Sequence, residues 1–509
     1  MRVQHSPAVP TALRHLASIL LLAIALVPNR AGAADRTVRA GLIALPPGLG
    51  NPFRDTQIPS SYVITAIYDG LTRFDAQGDL QPWLALSWER TDPVTWRFRL
   101  RPGVLFQDNT KFDANAVVTA VDYLISPAAQ RESVARELSQ IKEARFVDEL
   151  TVDIETKWPD PALPRSLPVL FIPQPALFRA KNIDEFAQAP IGTGPFKLES
   201  WTPTRATLVA HKRGWRPPKM DRLELIAMPE ADTRVQSLAA GAIDLAVGLG
   251  ADEIEGLKAA GIRNLVTHEP GVMGIAFLTT KPGPLADVRV RRALILAVNR
   301  QLIVEKGLSG LTSTAAGVAP AGVIGHDPQL TPMPYDPARA KQLLADAGYG
   351  NGFRLIFDIV VGGTAGDVVM YQQIAADLRK VGVEVELRAI PLQKLLTNVA
   401  FGGWTSDGFG IPYSSSPTRD VLRALRVNSC LWRAPWFCDE KLTAQIEATT
   451  READLDRRIA MTRDLVDAYY DAAPHLSVYD NVRFFGLQPA LTGFSESNDL
   501  IDWAAIERR

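Results

Sequence analysis

Apolar and polar positions along this chain recur with two periods, and the two alternate. Residues 96–100 read Trp, Arg, Phe, Arg, Leu, a period of two that predicts a half-buried strand. Residues 37–45 are apolar and β-branched enough for another strand, ended by the Pro- and Gly-rich stretch 46–52. Helical periods follow at 60–68, capped by Ser60 or Ser61, and at 112–125 with Asp113 near its start. An alternating run at 147–155 precedes the Pro-rich stretch 158–175, which reads as a surface excursion or interdomain passage.

Further on, strands are expected at 196–201, 207–211 and 223–228, then a helix at 234–240 stopped by Gly241 and a strand at 243–247. Residues 287–309 form the strongest helical pattern, with Val290, Leu294, Ala297, Val298 and Leu302 on one side and an Arg-rich opposite side. Asp336-Pro337 starts another helix that Gly348 closes. Strand 355–361, helix 368–381 and strand 383–389 make a βαβ unit, helices cover 439–448 and 453–472, and the last strand is 476–479. The alternation of type predicts an α/β fold. No internal repeat interrupts it.

The first 33 residues follow a different rule. Arg2 and Arg14 precede or flank an apolar run at 16–27 broken only by Ser18, and Ala31-Gly32-Ala33 offers a small-residue cleavage site, so a removable export signal is expected. The run is shorter than the roughly 20 apolar residues of a membrane span. The chain has two cysteines, Cys430 and Cys438, and neither stands at the cleavage site to take a lipid, which predicts a protein free in the periplasm. Lying eight apart around Pro435 in a compartment that permits oxidation, they are expected to form a disulfide, the alternative being two separate buried residues.

About 475 residues would remain, enough for two or three domains. Lys plus Arg number 55 against 56 Asp plus Glu, with no basic stripe, so a nucleic-acid partner has no electrostatic support. Elbow, zincin, CxxC, Walker and dinucleotide motifs are all absent from the sequence. Beyond the first 33 residues the histidines are His211, His268, His326 and His475, without ligand spacing, so no metal or cofactor is expected. Gly192-Thr193-Gly194 lacks a following Lys or helix and reads as a tight turn. Trp404, Tyr413, Trp432 and Trp436 crowd into loop-like sequence, either as core or as the lining of a pocket.

Several blocks resemble the extracellular solute-binding proteins of family 5, the periplasmic receptors of dipeptide and oligopeptide ABC importers. Ala66-Ile67-Tyr68-Asp69-Gly70-Leu71, Asp79-Leu80-Gln81-Pro82-Trp83-Leu84-Ala85 and Ser87-Trp88-Glu89 resemble the family's opening signature. Residues 96–104 with Phe106, residues 192–196, Ala240-Gly241-Ala242-Ile243-Asp244, residues 288–294 and residues 340–349 then follow in the family's order. The resemblance implies a periplasmic-binding-protein fold of two hinged α/β lobes with a smaller inserted domain. It would divide the chain into signal 1–33, first lobe 34–70, 190–271 and 480–509, insert 71–189, and second lobe 272–479.

That likeness implies a monomeric non-enzyme that closes on a small molecule or peptide and presents it to a membrane permease, with di- or oligopeptides as the expected solute. Relatives on this scaffold take opine-like conjugates, oligosaccharides or chelated nickel; an exported hydrolase or chaperone is the rival class. The stretch Gly403-Trp404-Thr405-Ser406-Asp407-Gly408 resembles the loop in which an aspartate pairs with a peptide's α-ammonium, which makes Asp407 the candidate, with Trp404, Thr405 and Tyr413 beside it. It continues into Phe409-Gly410-Ile411-Pro412 where the peptide binders have Asp-Pro. A peptide carboxylate would want an arginine; Arg419, Arg423, Arg426 and Arg433 are near, and Arg419 is the candidate. Asp108, in a turn where Asn109 replaces the usual Gly, reads as structural.

Overall fold

The computed structural model describes residues 36–509 apart from residue 57. The expected export signal, 1–33, lies outside the described residues. Residues 37–509 form one compact unit. Among the described residues no helix is long and apolar enough to cross a membrane.

A mixed sheet of eleven strands runs through the molecule. Its path is Val383–Ala389, Phe353–Ile359, Gly408–Gly410, Arg263–Phe277, His475–Leu487, Leu245–Leu249, Thr37–Leu42, Arg222–Ala227, Arg205–Ala210 and Phe196–Thr202, and Tyr413–Ser414 pairs with Arg263–Phe277 off the path. A second, antiparallel sheet orders Ala85–Asp92, Thr95–Leu100, Thr151–Thr156 and Ile141–Asp148. Buried side chains collect in three clusters. One joins both sheets around Tyr62, Phe98, Leu163 and Phe485; another packs around Leu294, Phe357 and Tyr479; the third surrounds Phe409, Trp436 and Tyr469.

Local chemistry explains most element ends. Asp113 accepts from Asn115 N and Ala116 N to start Ala114–Ile125, and Asp336 accepts from Arg339 N at Pro337–Asp346. Phe353–Ile359, Asp367–Arg379 and Val383–Ala389 form the expected βαβ unit, its strands parallel. Asn109 takes the left-handed backbone (φ 68°) in the turn that Asp108 braces through Thr110. Gly194 N bonds Ile67 O at 2.9 Å, so 192–194 is a tight turn against the first helix. Cys430 and Cys438 are joined.

Several expectations need correction. Ser–Tyr sequence at 60–68 does fold as helix Ser60–Ile67, but Pro59 occupies its N-cap and neither serine caps it. The strong pattern at 287–309 is two helices, Val288–Ala297 and Arg300–Gly307, because Asn299 accepts from Leu302 N and begins a new helix. The run at 147–155 spans a hairpin: it ends the strand Ile141–Asp148, turns at 149–150 and fills most of Thr151–Thr156. Stretch 158–175 is no surface excursion: Pro164 and Pro168 sit in short helical turns, and Leu163, Leu167, Leu170 and Phe171 are buried. Strand Arg263–Phe277 was not foreseen, and the strand expected at 476–479 extends over His475–Leu487.

Candidate functional site

Sheet polarity locates a crevice before any side chain is considered. Thr37–Leu42 is flanked in parallel by Arg222–Ala227 and Leu245–Leu249; Phe353–Ile359 is flanked in parallel by Val383–Ala389 and Gly408–Gly410. Between the two sets run the long antiparallel strands Arg263–Phe277 and His475–Leu487. Leu249, at the end of its strand, lies opposite Phe484, and Gly410, at the end of its own, lies opposite Ile275. Both parallel sets therefore point their carboxyl ends at the middle of the crossing pair. Open α/β sheets bind ligands at such ends.

The crossing strands change register there. His268 faces Val482 and Val272 faces Asp480, so Glu269, Pro270 and Gly271 have only Asn481 opposite them. Such a bulge bends the strand and re-aims its side chains. Arg483, buried beside it, contacts Glu269 at 2.7 Å, Asp499 at 2.8 Å, and Glu496 and the Tyr62 hydroxyl at 3.0 Å each. Three carboxylates share one guanidinium. Burial pushes Glu269 up to about 7 although Arg483 opposes it, and burial likewise raises Glu496. Asp480 is pushed up to about 6 by burial, with His326 pulling the other way. Burial alone would lower Arg483, but its acidic neighbours outweigh that and hold it above its ordinary range.

Around the bulge, polar atoms are buried without a protein partner: Tyr413 Oη, Ser415 Oγ, Asn481 Oδ1 and Asn498 Oδ1. The backbone of both tyrosine and serine borders the bulge: Tyr413 is paired in register with Val272 while its ring packs on His475, and Ser415 N donates to Pro270 O at 2.7 Å. Buried polar groups are nearly always hydrogen-bonded, so such a set suits a polar solute. A small pocket of about 30 Å³ opens beside His475–Leu487, lined by Arg300, Met333, Tyr470, His475 and Ser477 among others. Its Arg300 is held by the carbonyls of Ala315, Ser477 and Met333.

The five residues expected from sequence separate across one short strand. Beyond the carboxyl end of Gly408–Gly410, Tyr413 is buried and meets the His475 ring edge-on at 4.4 Å. Burial lowers that imidazole to about 3, so it is neutral near pH 7. Arg419, also on that side, is buried in the left-handed conformation (φ 52°), its guanidinium against Gly78 and Gly322 and 5.8 Å from the Phe74 ring. At the amino end, Asp407 Oδ2 accepts from Ile356 N at 2.8 Å. Thr405 Oγ1 accepts from Arg388 at 2.7 Å, and Trp404 stacks on Phe409 with 4.0 Å between ring centroids. Glu269, Asp480, Asn481, Arg483 and Asp499 were missed. The signal that could have found the first is Pro270-Gly271 interrupting an otherwise strand-like run.

Among the described residues no three His, Cys, Asp or Glu side chains are grouped to hold a metal ion. Residues 79–420 match the model of the bacterial extracellular solute-binding proteins, family 5 (middle). The chain is 28% identical over 473 residues to heme-binding protein A of Haemophilus influenzae, covering 85% of this chain and 84% of that one. It is 27% identical over 375 residues to the glutathione-binding protein GsiB of Escherichia coli K12, with 72% of each covered. Its fold superposes with a TM-score of 0.76 on the periplasmic binding protein DppA of Helicobacter pylori in complex with the peptide STSA, at 21% identity over 93% of this chain and 98% of that one.

Proposed function

The chain belongs to the bacterial extracellular solute-binding proteins of family 5, substrate-binding components of ABC import, and we propose that its solute is a di- or oligopeptide seated where the crossing strands change register. The observation that supports a peptide is the surplus of half-buried carboxylate there: Glu269 and Asp480 are pushed toward their acid forms, so a cation entering beside them is favoured. A peptide's α-ammonium supplies that cation, and the unpartnered atoms of Tyr413, Ser415 and Asn481 supply contacts for its amides. The relatives are named for binding: one for glutathione, itself a tripeptide, and a fold neighbour was solved with a tetrapeptide.

Two positions compete for the ammonium. Asp407 has one oxygen engaged by Ile356 N–H and stands at the amino end of its strand, whereas Glu269 lies in the bulge of the crossing strands and Asp480 is paired with Val272 at its edge. Geometry favours the latter pair, with Tyr413 lining the seat and Arg419 buttressing it. In this reading the mature protein, freed of residues 1–33, works as a monomer in the periplasm and hands its peptide to the permease without bond-making.

Calorimetry with trialanine, N-acetyl-trialanine and glutathione tests the reading. Trialanine or glutathione binds, acetylation weakens trialanine at least about tenfold, and Asp480→Asn weakens binding by a similar factor while Asp407→Asn leaves it within about twofold. A loss confined to Asp407→Asn would move the ammonium to that end. Equal binding of the acetylated and free peptides would sink the ammonium seat altogether.

A further inference from the structure

Segment 414–423, a loop that runs into the helix Val421–Val427, follows Tyr413 and is gripped from parts of the chain far away in sequence. Ser416 Oγ donates to Asp499 at 2.6 Å, and Asn498 Nδ2 donates to Pro417 O at 2.6 Å. Arg419 lies against Gly78. The strongest tie is Arg423, whose Nε and one terminal nitrogen fork onto Glu137 at 2.8 and 2.6 Å while the other donates to Ser414 O at 3.0 Å. Fork-on-fork pairs of this kind combine charge with fixed geometry. Both side chains are largely withdrawn from water, at 26% and 17% exposure. Burial alone would lower the Arg423 guanidinium, but Glu137 outweighs it and raises it.

Glu137 does not stand alone on its side. It ends the short helix Ser133–Glu137, whose Ser133 N and Val134 N donate to Arg54 O and Phe53 O at 3.3 and 3.2 Å. Glu132, just before that helix, accepts from Asn51 and pairs with Arg54 at 3.3 Å. Residues 51–54 and 132–137 thus form one braced unit, and residues 51–54 belong to the segment that leaves the carboxyl end of Thr37–Leu42. One end of the Arg423 fork is therefore fixed to the first strand set and the other, through Ser414, to the strand crossover. Any opening of the crevice between them must break the fork.

We propose that Glu137 and Arg423 are positioning residues that clamp the crevice shut, setting how much of the ligand-free protein stands closed. A solute that binds only the closed form then pays less for closure, since its apparent affinity scales with the competent fraction. The clamp acts through position, not through contact with the solute.

The test needs no solute. Hydrogen exchange and small-angle X-ray scattering would be measured on ligand-free protein spanning residues 34–509, as wild type and as Glu137→Gln. The expected result is about tenfold faster exchange in 133–138 and 414–423 in the variant, a larger radius of gyration, and unchanged exchange in Phe353–Ile359 and Arg222–Ala227. Faster exchange in the core strands as well would reduce the pair to a fold-stabilising contact. Unchanged segments or an unchanged radius would each overturn the clamp.

Discussion

At the crossover, Glu269 titrates near neutrality because burial raises it further than Arg483 lowers it, to about 7 against an ordinary 4.5. A carboxyl raised in the folded state stabilises the fold below about 4.5, and that contribution drains away as pH climbs through about 7. Glu269→Gln, neutral at every pH, loses nothing over that window. The melting temperature of the variant should therefore rise relative to wild type by a few degrees between pH 5 and 8, as scanning calorimetry would read. A constant gap would mean that Glu269 is ionised throughout. At this scale the sequence was informative only where chemistry is local. Asp113, Asp336 and Asp108 act on backbone within three residues, so each was legible. Glu269 owes its state to burial among Arg483, Glu496 and Asp499, over 200 residues away, and no local pattern carries that.

Among the elements, periodicity found helices and paired strands well and failed where a single residue broke the pattern. Asn299 split one long helix because its side chain caps the next. Arg263–Phe277 escaped notice because Pro270 and Gly271 interrupt its middle, although the strand resumes on the far side. Within it Gly274 is confined: a Cβ there would stand 1.9 Å from Leu476 O. Gly274→Ala must push the crossing strands apart, at a cost of about 3 kcal/mol, measurable by denaturant unfolding with folding confirmed by circular dichroism. The Cys430–Cys438 link ties the loop between helices Val421–Val427 and Glu440–Thr450. Replacing both cysteines by serine should lower stability by about 2.5 kcal/mol on loop entropy, with the two-strand crossover untouched. A loss near zero would mean that the packing of Trp436 and Phe437 already fixes that loop.

For the molecule as a whole, the family was legible because its blocks encode architecture: Gly192 and Gly194 let the chain pass Ile67, and Gly241 stops a helix with φ 70°. The solute was not. The proposed seat draws on the bulge at 269–271, on 480–483, on 413–415 and on 496–499, each unremarkable alone. The sequence neighbours of Asp407 look like a binding loop, and the fold sets them at the end of a three-residue strand opposite to Tyr413.

His475–Leu487 pairs with Arg263–Phe277 along most of its length and with Leu245–Leu249 at its end, and Trp503 Nε1 then reaches back to Tyr62 O at 2.7 Å. The seam of the molecule is thus sewn with the last thread to arrive. A chain made and moved from its first residue onward holds Thr37–Leu42 and its neighbours incomplete until the final segment follows, whereas the elements from Val288 to Ala472 can find one another earlier. Assembly in that order leaves the crevice the last thing to exist, so no solute can be caught before the whole chain is in place.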